Sequence, residues 1–393
     1  MRNIIITGGE LFNKGAQAMT FIAVHELAER FPDHKVYLLS EMDLARPKSE
    51  REQYAFEFLG WHPIKFARSQ KNFLLRSLCK VRNGNALAEA EKVYRNCDLM
   101  IDISGYALGS NWSKRNNERY LNHLEFAKAF GIPVYLMPQS FGPFDFGEAH
   151  PGIHERCREL LPTCRVILAR EQEGYGALVD TYGLTNVQLA PDLVLNNKGI
   201  DLSHVFKKVP VYELPEIRHG SIAVIPNGRN LSVGDETAVM ELYVAAIRKG
   251  LEQGKNVYLL HHATSDAEIC VKLKAAFAEE AEVILLEREF NCLEFNELVQ
   301  KFDYLVASRF HAIVHAYKNG IPCVVLGWAK KYEELLAQFE QSIYLFDIRN
   351  LVDKSDIIRV MDQMNERKDR ESRAIRCHLE LMQQYNVFDV LRI

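Results

Sequence analysis

Residues 302–331 read FDYLVASRFHAIVHAYKNGIPCVVLGWAKK, and the order of patterns in this stretch decides the fold. FDYLVAS (302–308) is a short apolar run of the kind buried in a parallel sheet. A helical segment of about three turns follows and stops at Asn319-Gly320, a helix C-terminus signal. IPCVVLG (321–327) is then a second buried strand. Strand, helix, strand within thirty residues implies a right-handed crossover between parallel neighbours. Arg309 and His311 fall at the exit of the first strand, and Lys330 and Lys331 just past the exit of the second. Parallel strands end on one sheet edge, so arginine, histidine and lysine meet beside a helix N-terminus, a place suited to a small anion.

The same alternation runs through the rest of the chain. NIIIT (3–7), KVYLLS (35–40), DLMIDIS (98–104), PVYLMPQS (133–140), RVILARE (165–171) and VQLAPDLVL (187–195) read as strands, most of them separated by helical segments. Residues 196–221 break the rhythm with Pro210, Pro215 and mixed polarity, and there the domain boundary is placed. Strands then return at 221–227, 256–262, 282–287, 302–308 and 322–327. The expected architecture is α/β: two Rossmann-like domains, 1–200 and 215–354, facing a cleft. A charged helix closes the chain, with Ser355 as its expected N-cap. The segment 355–393 is expected to pack back on the first domain.

Bulk properties narrow the function. At 393 residues and 48% hydrophobic the chain is long enough for two cores. A net charge of −4 argues against a nucleic-acid partner. No apolar run is long enough to span a bilayer, and MRNIIITGGE lacks the apolar length of a signal peptide. A cytoplasmic protein is expected, at the inner membrane face if residues 62–82 touch it. That stretch carries Lys65, Arg68, Lys71, Arg76, Lys80 and Arg82 among apolar residues, with no acid between Glu57 and Glu89. It reads either as a solvated basic helix face or as a contact for an anionic membrane surface or diphosphate. Eight cysteines without a CxxC pair read as reduced thiols.

Several strand exits present polar groups. TGGELFNKGAQAM (7–19) lacks both the GxGxxG spacing and the lysine and serine or threonine of a P-loop, so Asn13, Lys14 and Gln17 read as hydrogen-bonding groups for a polar ligand, or as parts of a plain turn. Ser104 and Gly105 follow the strand at 98–104, and Gln139 lies in MPQSFGPF (137–144). Arg170 and Glu171 sit directly behind an apolar strand, either as an ion pair or as an anion fork. His311 and His315 are one helical turn apart, but without a third ligand no metal is expected there. His262 either lines the cleft or caps the next helix.

In order along the chain, Asn13-Lys14-Gly15-Ala16-Gln17-Ala18, SGYALGS, Gln139 to Phe144, the ARE segment, and Ser308, Arg309, His311, Ala316, Gly320, Pro322, Trp328 and Lys331 resemble the polysaccharide pyruvyl transferase family. Ala16 stands where that family's loop commonly carries an acid, and Gly174 where it carries serine. The resemblance implies a GT-B-like fold and no organic or metal cofactor. It implies phosphoenolpyruvate as donor and a glycan or lipid-linked sugar as acceptor. Phosphoenolpyruvate carries a carboxylate and a phosphate, which suits a donor site of Arg309, Lys331, Arg170 and Ser308, with Lys330 nearby. His311 is the expected acid or phosphate-orienting group. Asn13, Gln17, Ser104, Gly105 and Gln139 are expected on the acceptor side, with His262 or Glu171 as base. Two other readings stand beside this one: a GT-B glycosyltransferase using a nucleotide sugar, and a non-catalytic glycan-binding member of the family. Oligomeric state is not legible in the sequence.

Overall fold

A computed structural model describes residues 2–60, 88, 90–148 and 150–393. The basic stretch 62–82 lies outside these residues. The first domain is built on a parallel sheet of β1 (Arg2–Thr7), β2 (His34–Leu39), β3 (Glu57–Leu59), β4 (Cys97–Asp102), β6 (Val134–Phe141), β7 (Val166–Ala169) and β8 (Val187–Leu189), in the order 3-2-1-4-6-7-8. The short β5 (Tyr106–Leu108) pairs with the far end of β6. All eight residues of β6 are buried, which is why it reads as an unbroken apolar run rather than an alternating one.

The second domain repeats the plan with β9 (Ile222–Ile225), β10 (Val257–Leu260), β11 (Val283–Leu286), β12 (Leu305–Ala307), β13 (Cys323–Gly327) and β14 (Leu345–Asp347), in the order 11-10-9-12-13-14. Each sheet reverses its strand order once, between β1 and β4 and between β9 and β12. Such reversals open a crevice at the carboxyl edge, where ligands of open α/β sheets bind. The helices that matter for the site are α1 (Lys14–Arg30), α2 (Lys114–Phe130), α3 (Gln172–Tyr182), α4 (Leu193–Asn196), α5 (Cys292–Val299), α6 (Phe310–Lys318), α7 (Lys330–Gln338) and α8 (Lys354–Met382).

One apolar cluster runs without interruption from Ile4, Phe21 and Leu195 in the first domain to Ala307, Ile313 and Val325 in the second. Polar contacts stitch the same seam. The buried Lys14 Nζ donates to the His262 carbonyl at 2.7 Å, and the Cys292 N–H donates to Gln17 Oε1 at 2.8 Å. Across the cleft, the N–H groups of Gln172 and Glu173 donate to the Glu334 carboxylate at 2.6 and 3.1 Å. A carboxylate of one domain thereby satisfies orphan donors at a helix N-terminus of the other.

Two local expectations change. VQLAPDLVL is not one strand: β8 stops at Leu189, and after Pro191 the buried Asp192 caps α4 by accepting from the Val194 N–H. The last helix is capped by Asp353, whose carboxylate accepts from the Ser355 N–H, so Ser355 lies inside the helix rather than at its cap. The chain beyond α8 turns onto the first domain. Asn386 Nδ2 donates to Glu26, and the Arg392 carbonyl accepts from the Tyr135 hydroxyl at 3.2 Å. The seven described cysteines are free, and among the described residues no helix is long and apolar enough to cross a membrane.

Candidate active site

The exit of β1 shapes the floor of the cleft. Gly8 has φ +73°, and a Cβ there would fall 2.1 Å from Ser104 Oγ, so only glycine lets the β1 and β4 exits lie against each other. Asn13 caps α1, its side chain accepting from the N–H groups of Gly15 and Ala16. A Cβ on Gly15 would fall 2.3 Å from Cγ and Nδ1 of His311. The first turn of α1 therefore lies directly on the imidazole that α6 delivers from the other domain.

Behind this floor, the buried Asp102 at the end of β4 ties three exits together. It accepts from Thr7 Oγ1 at 2.7 Å, from the Ser104 N–H at 3.1 Å and from Gln139 Nε2 at 3.2 Å. Burial raises its pKa in spite of these bonds. Gln139 is fully buried and also accepts from the Tyr120 hydroxyl, so it supports the floor without lining it.

A cavity of about 490 Å³ opens above, within the usual size of small-molecule sites. At one end stand Arg170, His311 and Lys331, and its walls include Gly8 to Glu10, Asn13, Ser104 to Ala107, Trp112 and Asn116. His311 Nε2 is buried and has no hydrogen-bond partner among the described residues. Burial first, then the charges of Arg170 and Lys331, push the His311 pKa down to about 3. The Lys331 ammonium packs 5.1 Å from the Phe310 ring centre and makes no ion pair among the described residues. Burial, then Arg170, push its pKa down to about 8.

Arg170 is almost fully buried. Its Nε donates to Glu171 Oε1 at 2.7 Å and its Nη1 to Asp192 Oδ2 at 3.0 Å, while Ser140 Oγ accepts from Nε and Nη2. With two carboxylates already on it, Arg170 contributes charge to the cavity rather than an open fork. Glu171 keeps one buried oxygen, Oε2, without a partner among the described residues, but is not among the residues lining the cavity.

Other expected residues lie elsewhere. Arg309 forks onto the fully buried Asp266, Nε to Oδ2 at 2.7 Å and Nη2 to Oδ1 at 2.6 Å. Asp266 also accepts from the Gly228 N–H, so this pair joins the exits of β9, β10 and β12. Ser308 is fully buried, with Oγ 2.7 Å from the Tyr243 hydroxyl. Gln17 and His262 belong to the domain seam described above. Lys330 pairs with Glu333 and faces a second, larger interdomain hollow. His315 is buried, edge-on to Phe295 and 3.3 Å from Asn296 Oδ1.

The cavity also holds residues that the sequence did not single out. Glu10 lines it, and burial together with the nearby Asp43 raises its pKa against the opposing charge of Arg119. Tyr106 and Trp112 also line it, a tilted aromatic pair with ring centres 5.5 Å apart. Glu10 had one signal, its place directly after the glycines at a strand exit. The aromatic pair had none, since it depends on the turn that follows β5.

Two parallel sheets, each with its switch point on a shared cleft, make this a GT-B-like α/β fold. The model of the polysaccharide pyruvyl transferase family matches residues 13–330, and the chain belongs to that family. Among solved structures, it is similar to a putative UDP-N-acetylglucosamine 2-epimerase from Listeria monocytogenes (TM-score 0.58, 12% identity, 99% of this chain and 93% of that one). The UDP-GlcNAc 2-epimerase from Neisseria meningitidis bound to UDP-GlcNAc gives TM-score 0.57 at 13% identity, covering 95% and 94%. The glycotransferase of kitacinnamycin gives TM-score 0.54 at 12% identity, covering 98% of each chain. At these identities the likeness concerns the fold alone. No curated protein matches the chain.

Proposed function

We propose that this chain transfers the pyruvyl group of phosphoenolpyruvate to two hydroxyls of a sugar in a cell-surface polysaccharide precursor, forming a pyruvate ketal and releasing phosphate. One observation carries the reading. An ammonium and an imidazole nitrogen that have no ion pair or hydrogen-bond partner among the described residues, Lys331 and His311, line one cavity together with aromatic and polar side chains. A donor with close to three negative charges supplies what the cationic end lacks.

The chemistry needs one proton delivered to C3 of the donor and one removed from each sugar hydroxyl. Protonation of C3 leaves oxocarbenium character at C2, where the first hydroxyl adds. The C2–O bond to phosphate then breaks, phosphate leaves with the electron pair, and the second hydroxyl closes the ketal. Of the two hydroxyl protons, one balances the new methyl group and the other leaves on phosphate. His311 is neutral in the free site. A polyanion beside it opposes the field of Arg170 and Lys331 and raises its pKa, which turns it into a proton donor on binding. Glu10, which lines the cavity and whose pKa is raised by burial, takes the hydroxyl proton.

The test is phosphate release from phosphoenolpyruvate with a panel of free and lipid-linked sugars, together with the new methyl proton resonance of a ketal. Release that requires sugar and is lost in His311→Asn supports the reading. Neither release nor donor binding with any acceptor, alongside a thermal shift by a UDP-sugar, refutes it in favour of glycosyl transfer. A requirement for lipid-linked acceptor would bring the 62–82 stretch forward as the membrane contact.

A further inference from the structure

Far from the cleft, the second half of α1 meets the turn Leu202–His204 of the interdomain linker. His25 and Glu29 lie one helical turn apart on the same face, and His204 approaches them from the linker. His25 Nδ1 and His204 Nδ1 are 3.0 Å apart, and His204 Nδ1 lies 3.6 Å from Glu29 Oε1. The three ligating atoms fall within 4.8 Å of one another. Tetrahedral bonds of about 2.0–2.1 Å require ligand atoms roughly 3.3 Å apart, and the two short separations bracket that value.

We propose that His25, Glu29 and His204 form a binding site for a divalent transition-metal ion, with zinc the best fit. Two imidazoles and a carboxylate are the donor set for zinc, nickel or copper rather than for magnesium or calcium. The site is open on the side of the exposed Glu29, which leaves the fourth position to water. The two facing nitrogens cannot both carry protons. Without metal they share one in an N–H···N bond, and the Asp201 N–H also reaches His25 Nδ1 at 3.3 Å. A metal replaces the shared proton and that long amide contact. Its structural effect is to pin the linker to α1, whose other end holds Gly15 against His311. His25 lies roughly 16 Å along the helix from Lys14, so the ion takes no part in the reaction.

Titrating cobalt into the full chain tests this, because a four-coordinate cobalt site gives visible absorption bands. Thermal melts with and without zinc provide a second readout. Expected are tetrahedral cobalt bands at one equivalent, displaced by zinc, and a melting temperature that zinc raises. Both should be lost in His204→Asn and weakened in Glu29→Gln, a variant that keeps the helix surface intact. Turnover of metal-free Glu29→Gln should equal that of the native chain. Absence of bands and of any zinc-dependent shift in the native chain overturns the proposal and leaves a hydrogen-bonded imidazole pair. Bands that persist undiminished in His204→Asn overturn it as well, since the metal then binds elsewhere.

Discussion

Gly15→Ala tests whether the His311 imidazole is positioned across the domain seam. The added methyl would fall 2.3 Å from His311 Cγ and Nδ1 and 2.7 Å from Cδ2. That is about 1 Å inside ordinary contact for the nearer atoms. The first turn of α1 has little freedom to yield. Asn13 caps it, Lys14 is held by the His262 carbonyl and Gln17 by the Cys292 N–H. Either the seam opens, at the usual overpacking cost of about 1–3 kcal/mol, or the imidazole turns away. A reacting group displaced by about 1 Å costs on the order of 100-fold in rate. The expected result is a kcat for phosphate release lower by about that factor, with donor binding largely kept. Gly199→Ala serves as the control, because a Cβ there meets nothing within 4 Å. Full turnover in Gly15→Ala, with a melting temperature raised as helix propensity alone predicts, would refute the argument.

Donor affinity should fall as pH rises through about 8, because the Lys331 ammonium is charged below its depressed pKa and neutral above it. In Lys331→Arg the KM for phosphoenolpyruvate should stay flat over that range, and a KM that still rises there would move the titration to another group. Glu10→Gln should lower kcat by about 100-fold or more while donor binding persists, and should remove the acid limb of the kcat profile; unchanged turnover dismisses Glu10 as base. Arg309→Ala leaves the buried Asp266 carboxylate unpaired and should cost about 3 kcal/mol in a denaturant melt. If the melt is unaffected but donor binding collapses, Arg309 grips the donor and its pairing with Asp266 is incidental.

The strands of both sheets are legible in the sequence because parallel strands buried on both faces appear as compact β-branched runs. β3, β5 and β14 are three residues each, too short to stand out from loops, and go unread. The choice of Asp353 over Ser355 as helix cap rests on which backbone turns into the helix, and either side chain fits the pattern. At the site, the carboxyl-edge rule brings His311, Lys331, Arg170, Asn13, Ser104 and Gly105 to one cavity. It cannot tell a side chain that faces the cavity from one that turns to a neighbour. Arg309 and His311 are two residues apart at one strand exit, yet one pairs with Asp266 and the other faces the cleft. Glu10 stayed unread for the same reason.

The chain passes between the domains twice, outward after α4 and back at the end of α8, and the two passages are fastened to each other. Asn196 Nδ2 donates to the carbonyls of Met382 and Tyr385, its Oδ1 accepts from the Val387 N–H, and Gln383 donates to the Leu195 carbonyl. A two-domain protein on a single tether is free to twist as well as swing. Here the two crossings are tied to each other at Asn196, so a twist of one domain against the other has to break these bonds as well as the apolar seam.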